Sequence, residues 1–286
     1  MIAIIFSLIA FFAWGIGDVL GIYSARRLNA YSATFWGLVI SILFSSFYIP
    51  YALPQIYNLS LDIFLLNVFL GSILIVGIFT FNEGLRTSNP SLVGTIASSF
   101  VMVTIILALI FFKENISLYQ SIAIIFILSG IVFSILDFKC LKTNIFNDKG
   151  VIFALISMIT WGIYFTFIRI PIDAIGWFWP NYITFSLFPF LLLFIKIRKI
   201  ELHRPNYKNA LPYLISGIIL IRIAEFSFNF AISKGLTSIV APIAGSYPIL
   251  FVVLSAYLFR EPLKKHQIMG IILALTGIVI LSIISV

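Results

Sequence analysis

A chain of 286 residues that is 62% hydrophobic and 10% charged, with a mean hydropathy of +1.15, is too poor in polar surface to be a soluble globule, whose charged share is roughly 25%. Its net charge of +8 lies in short stretches between apolar runs, not in a basic module interleaved with aromatics. That distribution argues against a nucleic-acid partner and suits lipid headgroups. The single cysteine, Cys140, excludes an internal disulfide.

A hydrocarbon core about 30 Å thick needs about 20 apolar residues per helix. Taken in order, the apolar runs predict spans over 2–22, 33–52, 62–84, 91–112, 117–136, 149–168, 176–195, 209–232, 238–259 and 266–285. Backbone amides must be satisfied inside lipid, so these spans are helical. Their continuity, in place of strict alternation, excludes a β-barrel. The first run lacks a positive leader and is followed by Arg26 and Arg27, so it reads as a retained helix and not as a signal peptide.

Polar residues inside lipid are costly, and each needs a partner, a cavity or a function. In the first span Trp14 and Asp18 share a face, and Asp18 is a candidate for coupling or binding. The third span ends in Asn82 and Glu83, and the fourth carries Thr95, Ser98 and Ser99. In the sixth span Trp161 stands one turn before Tyr164. The eighth is the richest: Arg222, Glu225 and Asn229 recur at i, i+3 and i+7, hence on one face. Arg222 and Glu225 are spaced to pair. They form either a substrate and proton site or a structural ion pair. The asparagines are either substrate contacts or interhelical glue, and the tryptophans either stack a substrate or pack against the adjacent glycines. In the ninth span Ser246 and Tyr247 lie between Pro242 and Pro248. Glu114 and Glu261, at span ends, read as loop anchors.

Shifted by 147 residues, the sequence matches itself without a gap, fading between residues 20 and 80, where only the spacing is preserved. Trp14-Gly15 meets Trp161-Gly162, Phe81-Asn82 meets Phe228-Asn229, Ser99 meets Ser246, and Glu114 meets Glu261. The chain therefore divides into repeats over 1–138 and 149–286 with a linker over 139–148. Five spans per repeat is odd, so the second half enters the membrane in the opposite sense. The predicted fold is all-α: ten transmembrane helices in two inverted five-helix repeats, an architecture characteristic of transporters.

The Trp-Gly of each first helix, together with FFKENISLYQSIAIIFILSGIV (111–132) and its echo LFREPLKKHQIMGIILALTGIV (258–279), resembles the EamA-type transporters of the drug/metabolite transporter superfamily. The resemblance implies ten helices, transport of amino acids, other metabolites or drugs without ATP, and a cavity lined by helices 1, 3, 4, 6, 8 and 9.

Of eighteen basic residues, fourteen fall in odd-numbered loops, three in even ones (Lys113, Arg169, Lys234), and Arg222 lies inside a span. The positive-inside bias places the odd loops in the cytoplasm of a cell membrane and both termini outside. No Walker sequence, HExxH, GxSxG or metal-ligand cluster is present, so neither an enzyme nor a cofactor is expected. The expected partners are the bilayer and a small-molecule solute, with monomer and dimer both open. The leading expectation is a secondary transporter of small metabolites, amino acids among them, by alternating access, with proton coupling and plain facilitated exchange both open. The alternative is a receptor or assembly factor that uses the same bundle without transport.

Overall fold

A computed structural model describes residues 1–25, 28–88, 90–135, 149–205, 211–259 and 263–285. The linker with Lys139, Cys140 and Lys142 lies outside the described residues, as do Arg26, Arg27 and Glu261. Every element among the described residues is helical. The first span is α1 (Ile2–Ala25), and the second comprises α2 (Ala30–Ser46) and α3 (Ile49–Ile56). The third is α4 (Leu61–Thr87), the fourth α5 (Pro90–Ser98) with α6 (Phe100–Phe111), and the fifth α7 (Leu118–Ile135). The second half follows with α8 (Lys149–Phe167) and α9 (Arg169–Ile175), then α10 (Trp179–Phe185) and α11 (Phe188–Ile197). It closes with α12 (Leu211–Ile232), α13 (Thr237–Gly245) and α14 (Pro248–Phe259), and α15 (Lys265–Ile284).

The apolar runs mark where these spans lie but miss their breaks. The second span, expected to be continuous over 33–52, bends by 89° between α2 and α3. Pro50 stands in the first turn of α3, where its ring is tolerated; carried on into α2 it would clash with the carbonyl of Ser46. Beyond the bend Phe47, Tyr51 and Tyr57 are exposed while Ala52 is buried, the pattern of a helix lying at the headgroup level. Trp179 Nε1 donates to the Ala52 carbonyl at 2.8 Å and fixes this arm to the second half.

Packing follows the repeat. α1 lies along α12 and α8 along α4, and these two pairings exchange when the halves are exchanged. α7 pairs with α15, a pairing that is its own counterpart, and α13 crosses α6. The halves are inverted. Near the amino terminus Ala3 meets Gly235, close to Thr237, whose amide binds Glu114. α1 thus runs away from the end that holds Glu114, and beyond it Asn29 Nδ2 donates to the Glu201 carbonyl at 2.8 Å. α8 and α9 run the other way, for Arg169 meets Glu114. Gln120 Nε2 donates to Ser285 Oγ at 3.1 Å, so both chain termini lie at the Glu114 end.

Small residues set a close backbone contact between α7 and α15. A Cβ at Gly270 would lie 2.5 Å from the Ser134 amide and 2.7 Å from the Gly130 carbonyl, and one at Gly277 would lie 2.8 Å from the Ala123 carbonyl. The paired glycines are therefore contact points where backbone meets backbone. Gly270→Val is expected to destabilise the bundle by about 1–3 kcal/mol, the usual cost of overpacking. A lower melting midpoint in detergent checks this; an unchanged midpoint would mean that the two helices do not meet there.

Candidate functional site

Two matched aromatic layers occupy the centre of the bundle. Trp14 packs against Phe228 of α12 and Tyr247 at the α13–α14 break, with ring centroids 5.5 and 5.6 Å apart. Its counterpart Trp161 packs against Phe81 and Phe100 at 5.1 and 5.8 Å, and 147 residues separate each of these three positions from its equivalent. The neighbouring glycines permit the approach. A Cβ at Gly15 would collide with Leu250, and one at Gly162 with Val103, again equivalent positions. Packing thus accounts for the Trp-Gly pairs. One polar atom is left over, Trp161 Nε1, which is buried without a hydrogen-bond partner among the described residues.

The layers differ at one point. The equivalent of Asp18 is Phe165, which fills the space between Trp14, Phe100 and Phe228 with centroids 5.0–5.7 Å away. Asp18 itself is partly buried, and among the described residues no cation or hydrogen-bond donor pairs with it. Tyr247 is close enough to feel its charge.

A second cluster lies within the later half, where α8, α10 and α12 meet. Arg222 Nη1 contacts Glu225 Oε2 at 2.5 Å, with each residue 7% exposed. The guanidinium carbon of Arg222 also lies over the Phe185 ring, 4.6 Å from its centre. Tyr164 Oη donates to Asn181 Oδ1 at 3.0 Å, and Asn181 is 1% exposed. Two donors remain unused: Arg222 Nε and Asn181 Nδ2 are buried with no partner among the described residues. Asn229 shares the α12 face, but its amide donates to the Trp177 carbonyl at 3.2 Å, the role of glue. Sequence reading missed Asn181 and Phe185, because their span was treated as peripheral. An asparagine in an otherwise apolar span was the available signal.

The remaining candidates are dispersed. Asn82 and Glu83 are half-buried towards the carboxyl end of α4, with Glu83 electrostatically close to Tyr31. Ser99 and Ser246, equivalent residues, mark the breaks of the fourth and ninth spans. Each hydroxyl turns back on its own helix, Ser99 Oγ to the Thr95 carbonyl at 3.0 Å and Ser246 Oγ to that of Ile243 at 2.6 Å. Pro248 accounts for the second break, since it has no amide to continue the ladder. The two breaks lie against each other: Gly245 abuts Val101 and the Phe100 ring.

Glu114 is an anchor, as its position at a span end suggests. Its carboxylate accepts from the amides of Thr237 and Ser238 at 2.9 and 2.8 Å, capping α13, and meets Arg169 Nη1 at 2.5 Å. One first-half acid thereby ties together two spans of the second half.

The EamA-like transporter family matches residues 1–136 and again residues 148–283, one match per repeat. Uncharacterized protein MJ1333.1 of Methanocaldococcus jannaschii is 28% identical over 136 residues, which is 48% of this chain and 98% of that protein. That relative has the length of a single repeat. A solved crystal structure of a protein superposes with a TM-score of 0.81 over 99% of this chain and 97% of its own, at 13% identity, and shows the same fold.

Proposed function

The chain belongs to the EamA-like transporter family, and from that premise we propose that it is a secondary transporter of small polar metabolites, a carrier and not an enzyme. The observation that carries this reading is the exchange symmetry of the packing. Alternating access requires each end of the bundle to adopt the arrangement the other has just left, and inverted halves provide that without a second fold. Broken helices meeting at Ser99 and Ser246 support it, since each half-helix can move with its own end of the membrane.

The two ends differ in this conformer. At the terminus-bearing end all nine residues of α13 are buried, whereas its equivalent α5 leaves Gly94 and Ile96 half-buried. A cavity of about 190 Å³ there is lined by Met1, Ser7 and Lys234 and bounded by the buried side chains of Ile4, Ile239 and Val240. We read this as a state closed at the terminus-bearing end. The lysine and arginine distribution orients that end away from the cytoplasm of a cell membrane. Asp18, a lone acid among apolar spans, is the proposed coupling group, neutralised by a proton during part of the cycle.

The test is flux. Purified protein in sealed vesicles is expected to move at least one labelled solute from a panel of amino acids, organic acids, nucleosides and sugars, faster when a pH gradient is imposed. If no solute moves with or without the gradient, while some of them still bind, the bundle is a receptor and the transporter reading fails.

A further inference from the structure

We propose that Arg222 is the carboxylate anchor of the cargo, taking a planar carboxylate on the edge formed by Nε and Nη2. The inference rests on the transporter reading and adds a substrate class to it. Three observations carry it. The guanidinium is already committed on two sides, with Nη1 on Glu225 and its face on the Phe185 ring, so its plane is fixed. Nε is buried and has no acceptor among the described residues. Asn181, one helical turn before Phe185 on α10, presents a second buried donor without an acceptor.

A purely structural ion pair in a bundle this apolar should satisfy its donors, because an unmet buried donor is costly. An arginine whose Nε stays unmet while Nη1 and one face are held is instead preorganised for fork-to-fork recognition. Carboxylate is the chemistry that fits: two coplanar acceptors at the spacing of Nε and Nη2. The Phe185 ring over the guanidinium and the Tyr164 ring bonded to Asn181 suit an apolar body behind it. Glu225 and Arg222 together are neutral, so the arriving negative charge is balanced either by an ammonium on the cargo or by a proton carried elsewhere. A simple organic acid and an α-amino acid thus share one recognised group.

Thermal-shift titrations of the full chain in detergent test this with acid and amide pairs: acetate and acetamide, phenylacetate and phenylacetamide, L-alanine and L-alaninamide, L-phenylalanine and L-phenylalaninamide. At least one acid is expected to protect with a half-saturating concentration about 10- to 100-fold below that of its amide, the scale of losing charge-assisted hydrogen bonds. Protection by amino acids alone identifies a zwitterion, and protection by simple acids as well identifies the carboxylate as sufficient. Arg222→Gln leaves Glu225 buried and unpaired, so the variant of choice is Arg222→Gln with Glu225→Gln, which keeps a hydrogen-bonded pair without charge. It is expected to melt near wild type and to lose the preference for acid over amide. The proposal is overturned if no acid protects, if the amides protect equally, or if the double variant keeps the preference. Vesicle flux on the same preparations separates the two readings. Transport of acids that survives in the double variant at the wild-type rate rejects the anchor alone, and protection by acids without any flux rejects the transporter alone.

Discussion

Asp18→Asn is expected to abolish gradient-driven accumulation while leaving solute exchange intact. One pH unit across a membrane stores about 1.4 kcal/mol per proton, enough for about a tenfold concentration ratio when one proton moves per solute. Wild-type protein in vesicles should approach that ratio. The asparagine variant should settle at equal concentrations on both sides, because an amide has the shape of the acid but cannot exchange a proton. Counterflow, in which unlabelled solute outside drives labelled solute out, should continue at a comparable rate, since it needs only the conformational cycle. The choice of Asp18 over Glu225 follows from their surroundings. Glu225 has Arg222 at 2.5 Å, whereas no cation or donor among the described residues pairs with Asp18. A variant that still accumulates tenfold per pH unit would place coupling at another group.

The second large effect is expected at Glu114. Glu114→Ala removes the acceptor of three hydrogen bonds at once, stripping the cap from α13 and leaving Arg169 short of its partner. Breaking a buried ion pair costs about 3–5 kcal/mol, and a lost helix cap about 1 kcal/mol. Asp173, 3.6 Å from Arg169 Nε, offers the arginine a substitute, so the lower part of that range applies: about 4 kcal/mol in total with the cap. The loss falls on the conformer that is closed at the terminus-bearing end. A melting measurement should therefore show destabilisation, and a labelling measurement should show which end has loosened. With Cys140→Ser removing the natural thiol, Ile239→Cys is expected to react slowly with an impermeant maleimide in the parent and several-fold faster with Glu114→Ala. Equal labelling rates would confine Glu114 to stability and remove it from closure of that end.

The sequence made the spans and their pairing visible for separate reasons. Apolar run length reflects bilayer thickness, so the positions of α1, α4, α7, α12 and α15 follow directly from composition. The 147-residue offset equates Trp14 with Trp161 and Phe228 with Phe81, the matched partners of the aromatic layers. Run length carries no information about direction within a run, so the 89° turn before Pro50 and the break at Ser99 escaped. Of these only the first had a residue to signal it; the fourth span breaks with no proline nearby. The Arg222–Glu225 pair was legible because its spacing is local to one helix. Its setting was not, since Phe185 and Asn181 reach it through tertiary packing that no spacing encodes. The capping of α13 by Glu114 spans more than a hundred residues and is hidden for the same reason.

Duplication gives this fold two copies of each interior position, and Asp18 with Phe165 shows what a spare copy permits. In the second half the position keeps a ring that fills the centre, packing on Trp14 and on Phe100, which in turn packs on Trp161. Its twin in the first half is released from that duty and can hold an acid without emptying the core. A single-copy interior would lose its central ring on acquiring the charge. Here one copy can hold an acid while the other maintains the packing, so a symmetric frame need not have a symmetric interior.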